Sequence, residues 1–229
     1  MRGRRNRAWW ACWAAVVVVG LLVGLGGPVL ASARASARHP VTRADLAAGR
    51  SALAALVVAA PSASQRYVRT RFGTPWADVD RNGCDTRNDV LRRDLVEVRL
   101  AADGCTVLSG VLADPYTGRR IAFARGQASA RVQIDHVVAL ADAWSSGAVA
   151  WDARRREQFA NDPANLLAVD GRANEDKGAA SAARWLPPDA GFTCVYALRQ
   201  IRVKAAYALT VTADERSALD DALRTCVTV

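Results

Sequence analysis

The chain has 229 residues, enough for one medium-sized domain or two small ones, and its formal net charge is +9. It contains 29 arginines but only two lysines and two histidines, and the positive charge would draw the protein towards polyanions. His136 is the only histidine after residue 40, which excludes a zinc-protease site, and no G-x-S-x-G motif or glycine-rich phosphate loop is present.

Residues 1–33 have the layout of a secretory signal. The basic segment "MRGRRNR" precedes an uncharged apolar run, and small residues then supply cleavage sites after Ala33 or Ala37. The run is also long enough for an uncleaved signal anchor, the one case in which we expect membrane contact. In both cases the functional domain is expected outside the cytoplasm, either secreted or anchored and facing outwards.

The segments beyond the signal predict a small α+β domain with helical flanks. An amphipathic helix over residues 42–60 is ended by Pro61, a loop-rich stretch over 67–95 ends in a short helix, and residues 105–124 predict a β-hairpin around Asp-Pro-Tyr-Thr-Gly. Strands are predicted at 130–134, just before Asp135, and at 165–169. The later predicted helices cover 137–146, 152–160, 171–185, 192–209 and 212–226.

Four cysteines follow the signal, and an even number in an exported chain predicts two disulfides. Three connectivities are open. The two C-terminal helices, the second of which opens with a capping box from Thr212, would place the start of one beside the end of the other if they pack antiparallel. This arrangement favours Cys194–Cys226 and leaves Cys84 for Cys105.

The chemistry-bearing residues occur in a fixed order. Asp135-His136 follows a strand, Asn165 begins the next one, Asn174 comes nine residues later, and Lys177 is followed by glycine. This set resembles the HNH endonuclease motif. The longer match, from "YVRTRFG" and "GCDTRNDVL" to "DHVVALADAW" and "NEDKGAASAARWLPP", resembles secreted bacterial HNH-family proteins related to the C-terminal nuclease domain of GmrSD-type restriction enzymes. It covers nearly all of residues 65–226.

The resemblance implies a ββα-metal core (the HNH or His-Me finger) at about residues 131–183, inside a nuclease domain over 65–229. Residues 34–64 would be an N-terminal helix and linker. His136 would be the general base, and Asp135 with Asn174 would hold one Mg²⁺ or Mn²⁺ ion, since oxygen ligands suit these cations. Taken alone, His136 has the alternative of an ordinary packed residue.

Supporting roles are expected for four further residues, and the resemblance implies that of Asn165. Asn165 would orient His136 by a hydrogen bond, and Lys177 would contact phosphate or brace the acids of the metal site. Arg154 and Arg155 would hold phosphates along the substrate, with a solvated helix face as the alternative.

Zinc and calcium are the two other metals to which parts of the sequence relate. Many HNH proteins carry a Cys-x-x-Cys pair for structural zinc, but Asp170 and Ala173 occupy these positions, so zinc is not expected. Residues 78–89, "DVDRNGCDTRND", match part of a calcium loop, although a tight Asx-rich turn explains them more simply.

The predicted function is an extracellular endonuclease that hydrolyses DNA, with RNA as a second candidate, and no protein partner is inferred. The alternatives are a non-catalytic secreted module that binds a polyanion or a surface, and a calcium-dependent adhesive domain built around residues 78–89.

Overall fold

The structure is a computed structural model that describes residues 38–62 and 65–229. The predicted signal at 1–33 and its cleavage sites lie outside the described residues. No helix in the described part of the chain is long and apolar enough to cross a membrane.

The helices are α1 (Arg43–Ala55), α2 (Thr86–Asp94), α3 (Leu140–Ser145), α4 (Ala153–Ala160), α5 (Gly171–Lys177), α6 (Thr193–Ala206) and α7 (Ala213–Arg224). The strands are β1 (Leu95–Leu100), β2 (Val107–Ala113), β3 (Arg120–Ala124), β4 (Val132–His136) and β5 (Leu166–Asp170).

An antiparallel sheet of β1, β2 and β3, in that order, contains the predicted hairpin. β2 and β3 pair from Ser109 opposite Ala124 to Ala113 opposite Arg120. β1 was not predicted: α2 ends at Asp94 and the chain continues directly into this strand. Its residues 96–100 alternate between apolar and charged side chains, a strand signal that the loop-rich stretch before it obscured.

β4 and β5 form a separate antiparallel pair, with His136 opposite Leu166, and α5 follows β5 directly. This strand–strand–helix unit carries the insert of α3 and α4 between its strands. The helix predicted over 171–185 is much shorter than expected, because it ends at Lys177. Gly178 has a φ of +52°, a left-handed conformation that glycine adopts without strain and that stops the helix.

The N-terminal helix α1 packs on the two C-terminal helices and shares one hydrophobic cluster with them. It ends at Ala55, five residues earlier than predicted. Both disulfides have the predicted pairing: Cys194 joins the start of α6 to Cys226 after α7, and Cys84 joins Cys105. The first of them fixes the two antiparallel helices at one end, and the second ties the turn before α2 to the turn between β1 and β2.

Candidate active site

Asp135 and His136 are the last two residues of β4, and their side chains have different hydrogen-bond partners. Both side chains are buried, and both line a groove of about 320 Å³. Asn174, on α5, lines the same groove. The structure therefore brings together the three residues that were predicted to hold the metal and to act as base.

The imidazole of His136 is fixed by the end of helix α4. Its Nε2 atom lies 2.8 Å from the carbonyl oxygen of Ala160, and a carbonyl can only accept, so Nε2 carries the proton. The Trp76 ring stacks beside it at a centroid distance of 6.3 Å. Burial lowers the pKa of His136 to about 4, so the ring is neutral at pH 7 and its Nδ1 lone pair can accept a proton.

The carboxylate of Asp135 is held from both sides by buried donors. Lys177 Nζ donates to Oδ1 at 2.8 Å, and the hydroxyl of Tyr116 donates to Oδ2 at 2.5 Å. Lys177 Nζ also donates to the backbone oxygen of His136 at 2.9 Å. Burial raises the pKa of Asp135, and the charge of Lys177 opposes that rise.

One of the two roles predicted for Lys177, the contact with phosphate, is wrong. Its side chain has 0% exposure, so it does not reach a phosphate in the groove. Its contacts are those of a brace for Asp135, which was the other predicted role.

The side-chain oxygens of Asp135 and Asn174 in this groove are compatible with one divalent ion. Each carboxylate oxygen of Asp135 accepts one hydrogen bond and keeps a second lone pair. The amide nitrogen of Asn174 donates to Gln133 at 2.8 Å, which orients the amide and leaves its oxygen as an acceptor. In residues 38–62 and 65–229, no three His, Cys, Asp or Glu side chains converge on one point. A cation here would therefore take its other ligands from water and phosphate, as Mg²⁺ does.

Asn165 is buried but does not contact the imidazole, contrary to the prediction. Its side-chain oxygen accepts from the Val138 amide at 2.8 Å, and its side-chain nitrogen donates to the Val138 carbonyl at 3.2 Å. Its backbone oxygen accepts from the Val137 amide. Asn165 therefore fixes the backbone that leaves His136, while Ala160 makes the hydrogen bond to the ring.

The two arginines predicted to bind phosphates lie elsewhere. Arg155 donates to the carbonyl of Tyr207 at 2.8 Å, and its guanidinium lies 4.7 Å from the centre of the Trp151 ring. Arg154 is exposed on the same helix, α4. Neither residue lines the groove, so the structure does not bring them to the site.

Tyr116 is a site residue that sequence reasoning missed. It lies in the predicted hairpin turn, where Asp114 accepts hydrogen bonds from the amides of Thr117 and of Asp170, at the end of β5. This link fixes the turn to the strand pair and places the Tyr116 hydroxyl on Asp135. The Asp-Pro-Tyr-Thr-Gly motif was the available signal, but it predicted only the turn.

The acidic segment 78–89 forms a turn with hydrogen bonds among its own residues. Asp78 accepts from the amides of Asn82 and Gly83 at 3.1 and 2.9 Å, and Asp80 accepts from both nitrogens of Asn82. These are the bonds of an Asx-rich turn. Calcium binding by this segment stays a prediction.

Comparison with known proteins gives two matches. The family described as "GmrSD restriction endonucleases, C-terminal domain" matches residues 85–221. An uncharacterized secreted protein of Arthroderma benhamiae is 39% identical over 180 residues, which are 77% of this chain and 84% of that protein. No solved structure matches the chain.

Proposed function

The chain belongs to the family of GmrSD restriction endonuclease C-terminal domains, and on this basis we propose that it is a secreted, metal-dependent endonuclease of the HNH type. Its substrate would be DNA, with RNA as a second candidate. The observation that carries the proposal is the neutral imidazole of His136, held at Nε2 in a groove that Asp135 and Asn174 also line.

In this mechanism His136 is the general base. Its Nδ1 accepts a proton from a water molecule, whose oxygen attacks the phosphorus of the substrate. The carbonyl of Ala160 keeps its hydrogen bond to Nε2 and so favours the protonated ring. The bond from phosphorus to the 3′ oxygen breaks and the departing oxygen takes a proton from solvent, which gives 5′-phosphate and 3′-hydroxyl ends.

Asp135 and Asn174 would hold the divalent ion on β4 and α5, so that β4, β5 and α5 form a ββα-metal core. When bound, such an ion stabilises the charge of the phosphorane and of the departing oxygen. Tyr116 and Lys177 contribute by fixing the Asp135 carboxylate in one orientation.

Secretion is supported by two observations. The two disulfides fit an oxidising compartment, and the similar Arthroderma benhamiae protein carries the word "secreted" in its name. The signal predicted at 1–33 would direct the export.

The test is cleavage of supercoiled plasmid and of single-stranded DNA by protein recovered from the medium of a secreting host. The reactions contain Mg²⁺, Mn²⁺ or EDTA. His136→Ala is compared with His39→Ala, which removes the other histidine, an edge-on contact of Phe192. We expect metal-dependent cleavage by the wild type and by His39→Ala, and none by His136→Ala. Equal cleavage by both variants would contradict the assignment of His136.

The second candidate is a non-catalytic module that binds a polyanion. It is favoured by the Asp135 carboxylate, which already has two buried donors, and by the positive charge of the chain. Without the four arginines of residues 1–33, the chain has 27 basic and 22 acidic residues, a formal net charge of +5. DNA binding without cleavage under every metal condition would support this function over the endonuclease.

A further inference from the structure

Arg69 begins a short 3₁₀ turn (Arg69–Phe72) that is anchored close to the candidate base. Phe72 is 2% exposed and packs against the rings of Trp144 and Phe159. Glu157, on α4, accepts from the amide of Thr74 at 2.8 Å, just after the turn. The backbone of Arg69 is therefore fixed to α4, the helix whose last residue bonds His136.

Arg69 lines two cavities that are both bounded by His136. One is the groove that contains Asp135 and Asn174, and the other is a slot of about 30 Å³ beside Trp76. Arg69, His136 and Leu140 line both. A group bound against His136 from either side would share its cavity with Arg69.

The charge of Arg69 is not neutralised by a carboxylate. Within the described part of the chain, the ion pairs do not include Arg69, and its side-chain partner is the hydroxyl of Tyr67, a neutral group. Among the described residues that line the groove it is also the one Lys or Arg. An exposed guanidinium at this place can offer two N–H donors to a phosphate.

Three other arginines of the chain have structural partners. Arg71 donates to Gln65, Arg155 donates to the carbonyl of Tyr207, and Arg199 donates to the carbonyls of Pro163 and Ala164. These contacts occupy N–H donors of each guanidinium with acceptors of the protein, whereas Arg69 lines the groove.

We propose that Arg69 binds the non-bridging oxygens of the phosphodiester that is cleaved, and that it takes the role sequence analysis gave to Lys177, Arg154 and Arg155. This inference rests on the proposed function for the identity of the substrate. Its ligand chemistry is a phosphodiester, and one phosphate is sufficient for the contact.

The test uses two substrates, a DNA duplex and bis(4-nitrophenyl) phosphate, which has a single phosphate group. Arg69→Ala and Arg69→Lys are compared with Arg50→Ala, which removes one exposed positive charge from α1, away from the groove. We expect Arg69→Ala to lower kcat/KM about 100-fold on both substrates, the scale of losing one donor to a developing oxyanion. Arg69→Lys should fall between Arg69→Ala and the wild type, and Arg50→Ala should match the wild type.

Equal melting temperatures for the variants and the wild type would exclude unfolding as the cause. A kcat/KM for Arg69→Ala within about threefold of that for Arg50→Ala on both substrates would overturn the proposal, given that alanine removes the whole donor set.

A second measurement separates this proposal from the proposed function. DNA binding is followed by fluorescence anisotropy in EDTA at several salt concentrations, where no cleavage is needed. We expect Arg69→Ala to reduce the slope of log affinity against log salt by about 0.9, the value for one lost phosphate contact on duplex DNA. An inactive wild type that still shows this loss would refute only the endonuclease, and an unchanged slope would refute the phosphate contact.

Discussion

Replacing Lys177 with methionine would leave the carboxylate of Asp135 buried without its cation. The two groups are 2.8 Å apart, and their side chains are 0% and 5% exposed, so water cannot take the place of the ammonium. The hydroxyl of Tyr116 would remain as the carboxylate's hydrogen-bond donor. Breaking a buried pair in this way costs about 3–5 kcal/mol of the free energy of unfolding. For a chain of this size, Tm would fall by roughly 6–20 °C.

The assay is urea unfolding followed by tryptophan fluorescence, with Asp135→Asn/Lys177→Met as the matched control. The double variant removes both charges, so it should recover much of the stability that the single variant loses. If Lys177→Met cost less than about 1 kcal/mol, the buried ion pair would be refuted. If the variant kept its stability and lost DNA affinity, Lys177 would face the substrate after all.

Three further predictions concern the contacts that stabilise the fold. Tyr116→Phe removes a donor to a buried carboxylate and should lower the free energy of unfolding in urea by about 1.5–3 kcal/mol. It should also change the affinity for Mn²⁺ measured by calorimetry. An unchanged stability and an unchanged affinity would show that the hydroxyl does not stabilise the carboxylate. Replacing Cys194 and Cys226 by serine should cost about 3–4 kcal/mol, since the bond closes a loop of 32 residues, and an unchanged Tm would contradict this value. Both lysines are fully buried in ion pairs, so an amine-reactive reagent should leave them unmodified in the folded protein and label them in denaturant, as mass spectrometry can show.

The fold was predictable where its signals are local. The hairpin has a turn motif between two apolar runs, and Thr212 caps α7 as its side chain predicted. The length of α5 was predicted wrongly, because the alanines after Gly178 favour a helix while the glycine itself stops one.

The candidate site was predictable in its members but less so in its contacts. Asp135, His136 and Asn174 were identified by their order in the sequence, and they line one groove. The bonds from Tyr116 to Asp135 and from His136 to Ala160 join residues 19 and 24 positions apart, and they depend on how the turn and α4 pack. Arg69 was missed for the same reason, because its place beside His136 follows from the packing of Phe72 into the core.

The most direct test of the central claim is the single-turnover rate of DNA cleavage in Mn²⁺ for the wild type and for His136→Ala. A general base at this position predicts a rate about 10²–10⁴-fold lower in the variant, with cleavage by the wild type abolished by EDTA. A variant that cleaves as fast as the wild type, or wild-type cleavage that persists in EDTA, would contradict the proposed mechanism.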